Sequence, residues 1–187
     1  WNQLGSLVRS QGQLANTLDY LAYAQMKGGQ AEQAVANYRR ALALQPQNLG
    51  LKHSLLVALH TSGNKEEAYN GLSQELKRQR NYFESSLRPQ SDFWVRIWEK
   101  DGTPILEEMV KSRPGDGEAL LNQGFMHLNW GNYKKAAGIL GQAAAKIPED
   151  PWCHHFRGYC LYRLGKLDEA AASFQSAIEQ SPRHVPA

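Results

Sequence analysis

The 187-residue chain is 42% hydrophobic and 21% charged, enough apolar material for a buried core, which excludes a disordered segment, a collagen and a disulfide-stapled miniprotein. Twenty-one Lys and Arg against eighteen Asp and Glu give +3, scattered along the chain, which excludes the clustered basic stripe of a nucleic-acid or membrane-surface binder. The longest apolar runs, Tyr20 to Ala24 and Leu55 to Leu59, fall far short of the roughly 20 residues that a membrane-spanning helix requires.

A fixed period organises the chain. Pro46, Pro114, Pro148 and Pro182 are separated by multiples of 34 residues, and the one unfilled slot holds Arg80. Rows of that length run 15–48, 49–82, 83–116, 117–150 and 151–184, with a tail at 185–187. Residues 1–14 precede the first row and read as the second helix of an earlier hairpin, with Leu4, Leu7 and Val8 in its packing columns and Gly12 in the proline slot. A start at Trp1 then predicts a piece of a longer array, with self-association through Leu4 and Leu7 as one consequence.

Each row predicts a hairpin of two short helices. In the first row Leu18, Leu21 and Ala22 keep helical spacing, Gly29 ends the first helix, and Ala34, Tyr38, Ala41 and Leu42 mark the second. The glycine column continues as Gly63, Gly131 and Gly165, the alanine column as Ala68, Ala136 and Ala170, and the bulky column as Leu72, Leu106, Leu140 and Phe174. Proline closes the second helix because it removes a donor and disfavours helical dihedrals before it. The third row is irregular: Pro89 falls inside its expected first helix, which should start at Ser91 or Asp92 and run through Phe93, Trp94, Ile97 and Trp98 to Lys100. Thr103 is expected to cap the second helix there, with Pro104 in its first turn. That row reads either as a degenerate repeat repaired by tryptophans or as a hinge or binding feature.

No phosphate loop, dinucleotide fingerprint, nucleophile elbow or paired-His zinc helix occurs, so no enzyme and no cofactor are expected from these residues. Trp152, Cys153, His154, His155 and Cys160 hold zinc-type ligands, but the two histidines point away from the cysteines on a helix, and structural thiols rather than a metal site are expected. Two cysteines seven residues apart on one helix cannot bond each other, and unbridged thiols favour a reducing cytoplasm without fixing the compartment. His53 and His60 are two turns apart on one helix face, readable as exposed polar residues or as groove residues.

The phased columns resemble the tetratricopeptide repeat family, most fully in Leu120, Gly124, Gly131, Tyr133, Ala136, Leu140, Ala143 and Pro148, and in Gly158, Gly165, Leu167, Ala170, Phe174, Ala177 and Pro182. The resemblance implies an all-α fold, a right-handed superhelical solenoid of antiparallel helical hairpins whose first helices line a concave groove. It implies a non-enzymatic scaffold that binds a peptide or helical segment of a partner protein, or alternatively the docking arm of an enzyme whose catalytic domain lies elsewhere.

Carried over by column, the implied groove residues are Asn16, Asp19, Tyr23 and Lys27, then His53, Val57 and His60, then Leu121, Phe125 and Asn129, and finally Trp152, His155, Tyr159, Tyr162 and Arg163. Some family members clamp a carboxylate tail with Lys and Asn at set columns. Here those columns hold Asp19, Tyr23, Leu121 and Phe125, so apolar and aromatic anchors are expected instead.

Overall fold

The computed structural model describes residues 2–83 and 102–180, with side chains at residues 9–80 and 102–180. The side chains of Leu4, Leu7 and Val8 and the expected helix from Ser91 or Asp92 to Lys100 therefore lie outside what is described. The described elements are all α-helices: α1 (Asn2–Lys27), α2 (Ala31–Leu44), α3 (Leu49–Thr61), α4 (Lys65–Phe83), α5 (Thr103–Ser112), α6 (Gly117–Asn129), α7 (Tyr133–Lys146), α8 (Pro151–Arg163) and α9 (Leu167–Gln180). They fall into two compact units, 1–72 and 73–187.

In the first unit α1 packs on α2 and α2 on α3. Ala15, Leu18, Ala22, Ala34, Tyr38, Ala41, Leu51, Leu56 and Leu59 form its interior. Burial against these groups pushes the Tyr38 hydroxyl up to about 12, with Asp19 adding to the shift and a hydrogen bond to Ser54 opposing it. In the second unit α6 packs on α7, α7 on α8 and α8 on α9, while α5 lies against α6.

The chain reversals share one construction. Gly29, Gly63, Gly131 and Gly165 have φ of 76°, 87°, 77° and 76°, a left-handed conformation that a Cβ would strain. At the first, the amides of Gln30 and Gly29 donate to the carbonyls of Gln25 (2.8 Å) and Met26 (3.2 Å), satisfying the free end of α1. Helix starts are capped at the same period: Asn48, Asp116 and Asp150 each accept a backbone N–H through a side-chain oxygen, at 3.2, 3.1 and 2.9 Å.

Helices approach by exchanging bulk. A Cβ on Gly124 would meet Leu140 at 2.6 Å and one on Gly158 would meet the Phe174 ring at 2.8 Å. The second row inverts the pair, with Leu56 on the first helix and Gly71 opposite, where a Cβ would meet Leu56 at 2.6 Å.

Two expectations are corrected. No break separates residues 1–14 from the first row: α1 runs unbroken through Gly12. Glycine in the proline slot costs helix only about 1 kcal/mol and lacks the ring that would stop it. Thr103 does not cap α5: Gly102 occupies the N-cap position without a side-chain bond, and Thr103 is already helical beside Pro104.

Candidate functional site

The first helices of the hairpins, α1 and α3 in one unit and α6 and α8 in the other, carry the column-derived residues. On α1, Asn16 is exposed, Asp19 is half-buried with its carboxyl pushed up by desolvation, and Tyr23 is 56% exposed. The Lys27 ammonium sits 5.3 Å from the Tyr23 ring centroid, a cation–π contact one helical turn apart. On α3, Val57 and His60 are half-buried, and the His60 ring lies 6.2 Å from that of Tyr69.

Three of the expected groove residues are interior. His53, Leu121 and Phe125 are only 5%, 0% and 2% exposed, so their side chains are not open to a ligand. Phe125 instead packs on Phe156, with ring centroids 4.9 Å apart. Bulky side chains in these columns fill space inside the unit, which apolar packing favours over exposure to water.

In the second unit the remaining candidates gather on α8. Trp152 stacks on Phe156 (5.1 Å, 23°), and His155 meets Trp152 edge-on at 5.9 Å and Phe174 at 5.9 Å. Trp152, His155 and Tyr159 keep intermediate exposure, Tyr162 is 58% exposed, and Asn129 and Arg163 are exposed. The Arg163 guanidinium lies 4.5 Å from the Tyr133 ring centroid and 5.8 Å from that of Tyr159, and its Nη1 donates to the Tyr159 hydroxyl at 3.1 Å. A shallow cleft at the other end of α8 is lined by Glu118, Ile147, Glu149, Asp150, Pro151, Trp152 and Gln180.

The cysteine and histidine cluster does not converge. Cys153 and Cys160 are free and buried, and burial pushes both thiols up to about 12, which leaves them protonated and unreactive. His154 Nε2 turns to the Pro148 carbonyl at 3.0 Å. Among the described residues no group of three or more His, Cys, Asp or Glu could hold a metal ion, and no helix is long and apolar enough to cross a membrane.

Two features escape sequence reasoning. Arg80, readable only as the residue where proline is missing, is 1% exposed and donates to Asn122 Oδ1 and, at 2.6 Å, to Glu118. Asn122 in turn donates to Ser73 Oγ at 3.3 Å. Tyr133, a packing residue by column, forms one wall around Arg163, a contact visible only once α7 is laid beside α8.

Comparison with known proteins falls on the same helices. Residues 15–48 and 151–184 each match the tetratricopeptide repeat. No curated protein matches the chain. Among solved structures, a MamA fragment from Desulfovibrio magneticus RS-1 is 19% identical, covering 92% of this chain and 97% of that one, with a TM-score of 0.44. A crystal structure of MamA is 16% identical over 87% and 95% of the two chains, with a TM-score of 0.46. YrrB, described as a TPR protein with an unusual peptide-binding site, is 17% identical over 89% and 86%, with a TM-score of 0.45.

Proposed function

With its repeats at 15–48 and 151–184, this chain belongs to the tetratricopeptide repeat family, and from that premise we propose that it is a non-enzymatic scaffold whose first-helix faces hold a segment of a partner protein. The observation that carries the reading is α8, where Trp152, His155, Tyr159 and Tyr162 keep surface beyond what the internal packing uses. Aromatic side chains that are already partly packed lose little freedom on binding and dominate interface energetics. Asn16, Tyr23 and Lys27 give the first unit a smaller face of the same kind.

A random peptide library selected against the immobilised chain tests this. The pool should converge, and its peptides should bind Tyr162→Ala about tenfold more weakly, the loss expected of an interface anchor. Exposed Tyr162 can be removed without unfolding α8, which far-UV circular dichroism checks. A pool that never converges, or peptides that bind the variant as tightly, would overturn the assignment.

A further inference from the structure

The charge of the chain is scattered as a whole but not on two adjacent helices. α7 and α8 carry Lys134, Lys135, Lys146, Arg157 and Arg163 and not one Asp or Glu. The two helices pack against each other, with Lys135 turned toward Glu107 of α5 and Arg157 toward Ser173 of α9. Among the described residues Arg163, Lys134 and Lys146 make no ion pair, Arg157 donates to Ser173 Oγ at 3.3 Å, and Lys135 reaches Glu107 only at 4.0 Å with both groups more than half exposed. Of the acidic groups nearest in sequence, Asp150 caps α8 and Glu169 pairs with Lys166 at 2.7 Å, while Glu149 and Asp168 flank α8 on either side without an ion pair among the described residues.

Arg163 differs from an ordinary surface cation because it is held. Tyr133 from α7 and Tyr159 from α8 flank its guanidinium, and the Tyr159 hydroxyl takes one of its donors. A guanidinium offers five donors in a planar fork, so donors remain for a carboxylate after one is spent on Tyr159. Fixing the side chain in advance removes part of the ordering cost that a mobile Arg would pay on binding. The same columns four rows earlier hold Tyr23 and Lys27, again a cation over a tyrosine ring.

We infer that the Tyr133–Arg163–Tyr159 bracket, with Lys134 beside it on the chain, is a subsite for an acidic side chain, so that the segment bound on α8 is an acidic peptide. This rests on the scaffold reading and adds the chemistry of the ligand. An Asp or Glu takes the Arg163 donors while a neighbouring apolar residue covers Tyr162. A nucleic acid is the poorer occupant, because one fixed guanidinium among tyrosines does not make the run of phosphate contacts on which such binding depends.

The composition of the selected peptide pool reads this out separately from its convergence. Asp and Glu should be enriched in the pool relative to the starting library, and individual peptides should lose about tenfold in affinity for Arg163→Gln, with a loss on adding salt that the variant shows less. Arg163 is exposed, and unchanged circular dichroism of the variant excludes unfolding as the cause. A converged pool without acidic enrichment, or acidic peptides that bind Arg163→Gln unchanged, overturns the bracket and leaves the scaffold reading standing. A pool that does not converge overturns both. A short DNA duplex that binds through Arg163 more tightly than every selected peptide overturns the peptide ligand in favour of a phosphate backbone.

Discussion

Gly158 and Gly138 are both helical glycines, and they should respond to alanine in opposite directions. Alanine gains about 1 kcal/mol over glycine inside a helix. At Gly138 an added Cβ meets nothing within 4 Å, so Gly138→Ala keeps that gain and raises the denaturant midpoint. At Gly158 the same atom meets Phe174 ring carbons at 2.8 Å, and a ring wedged between two helices cannot turn aside as a chain end would. Overpacking of that kind costs about 1–3 kcal/mol, so Gly158→Ala should lower the midpoint. Equal shifts of the two variants in chemical denaturation would contradict the close approach of α8 and α9.

At the scale of elements, α4 shows what happens when the stop residue is missing. The second helices α2, α5 and α7 end before Pro46, Pro114 and Pro148, whereas α4 passes its slot and continues to Phe83. Arg80 fills that slot, and within the second unit its side chain holds Asn122 and Glu118 on α6. Arg80→Ala removes a buried stem and leaves Asn122 without its donor. The expected loss is about 2–4 kcal/mol, kept below the full cost of breaking a buried ion pair because Glu118 remains 37% exposed and screened. Arg80→Met, which keeps the stem, should recover part of it. An unchanged urea midpoint for Arg80→Ala would show the network to be idle.

Across the whole molecule, acid should act on the second unit through His127. Its two ring nitrogens are buried and have no hydrogen-bond partner among the described residues, and the ring lies edge-on to Trp130 at 5.1 Å. Burial lowers its pKa first, Lys135 lowers it further, and Glu107 opposes them. A folded-state pKa below the unfolded value of about 6.5 means that stability is complete above that value and is lost as pH falls beneath it. The protection of α6 amides against hydrogen exchange, taken relative to the intrinsic rate at each pH, should therefore fall as the pH drops below about 6.5, and His127→Leu should flatten that dependence. A slope unchanged in the variant would assign it to other groups.

The periodic parts of this architecture were legible in the sequence because each column answers a local demand. Gly29, Gly63, Gly131 and Gly165 are needed for left-handed turns, and Ala34, Ala68 and Ala136 for close helix approach. Asn48, Asp116 and Asp150 are equally periodic caps and could have been read the same way. What the columns do not hold is contact at a distance. Arg80 meets Asn122 from 42 positions away, and nothing in either local pattern announces the pair. The candidate site suffers similarly: a column places Leu121 and Phe125 on a groove-lining helix, but only packing decides that they are spent inside the unit, leaving Tyr162 and Arg163 to the surface.

The exchange of bulk between paired helices also sets how such an array can be recombined. Leu56 faces Gly71 in the second repeat, while Gly158 faces Phe174 in the fifth. A chimera that joined α3 to α9 would set Leu56 against Phe174, two large side chains at one close approach. Duplication or shuffling that keeps the interior filled must therefore move whole hairpins, never single helices, and the natural crossover points lie at the capped junctions before Leu49, Gly117 and Pro151.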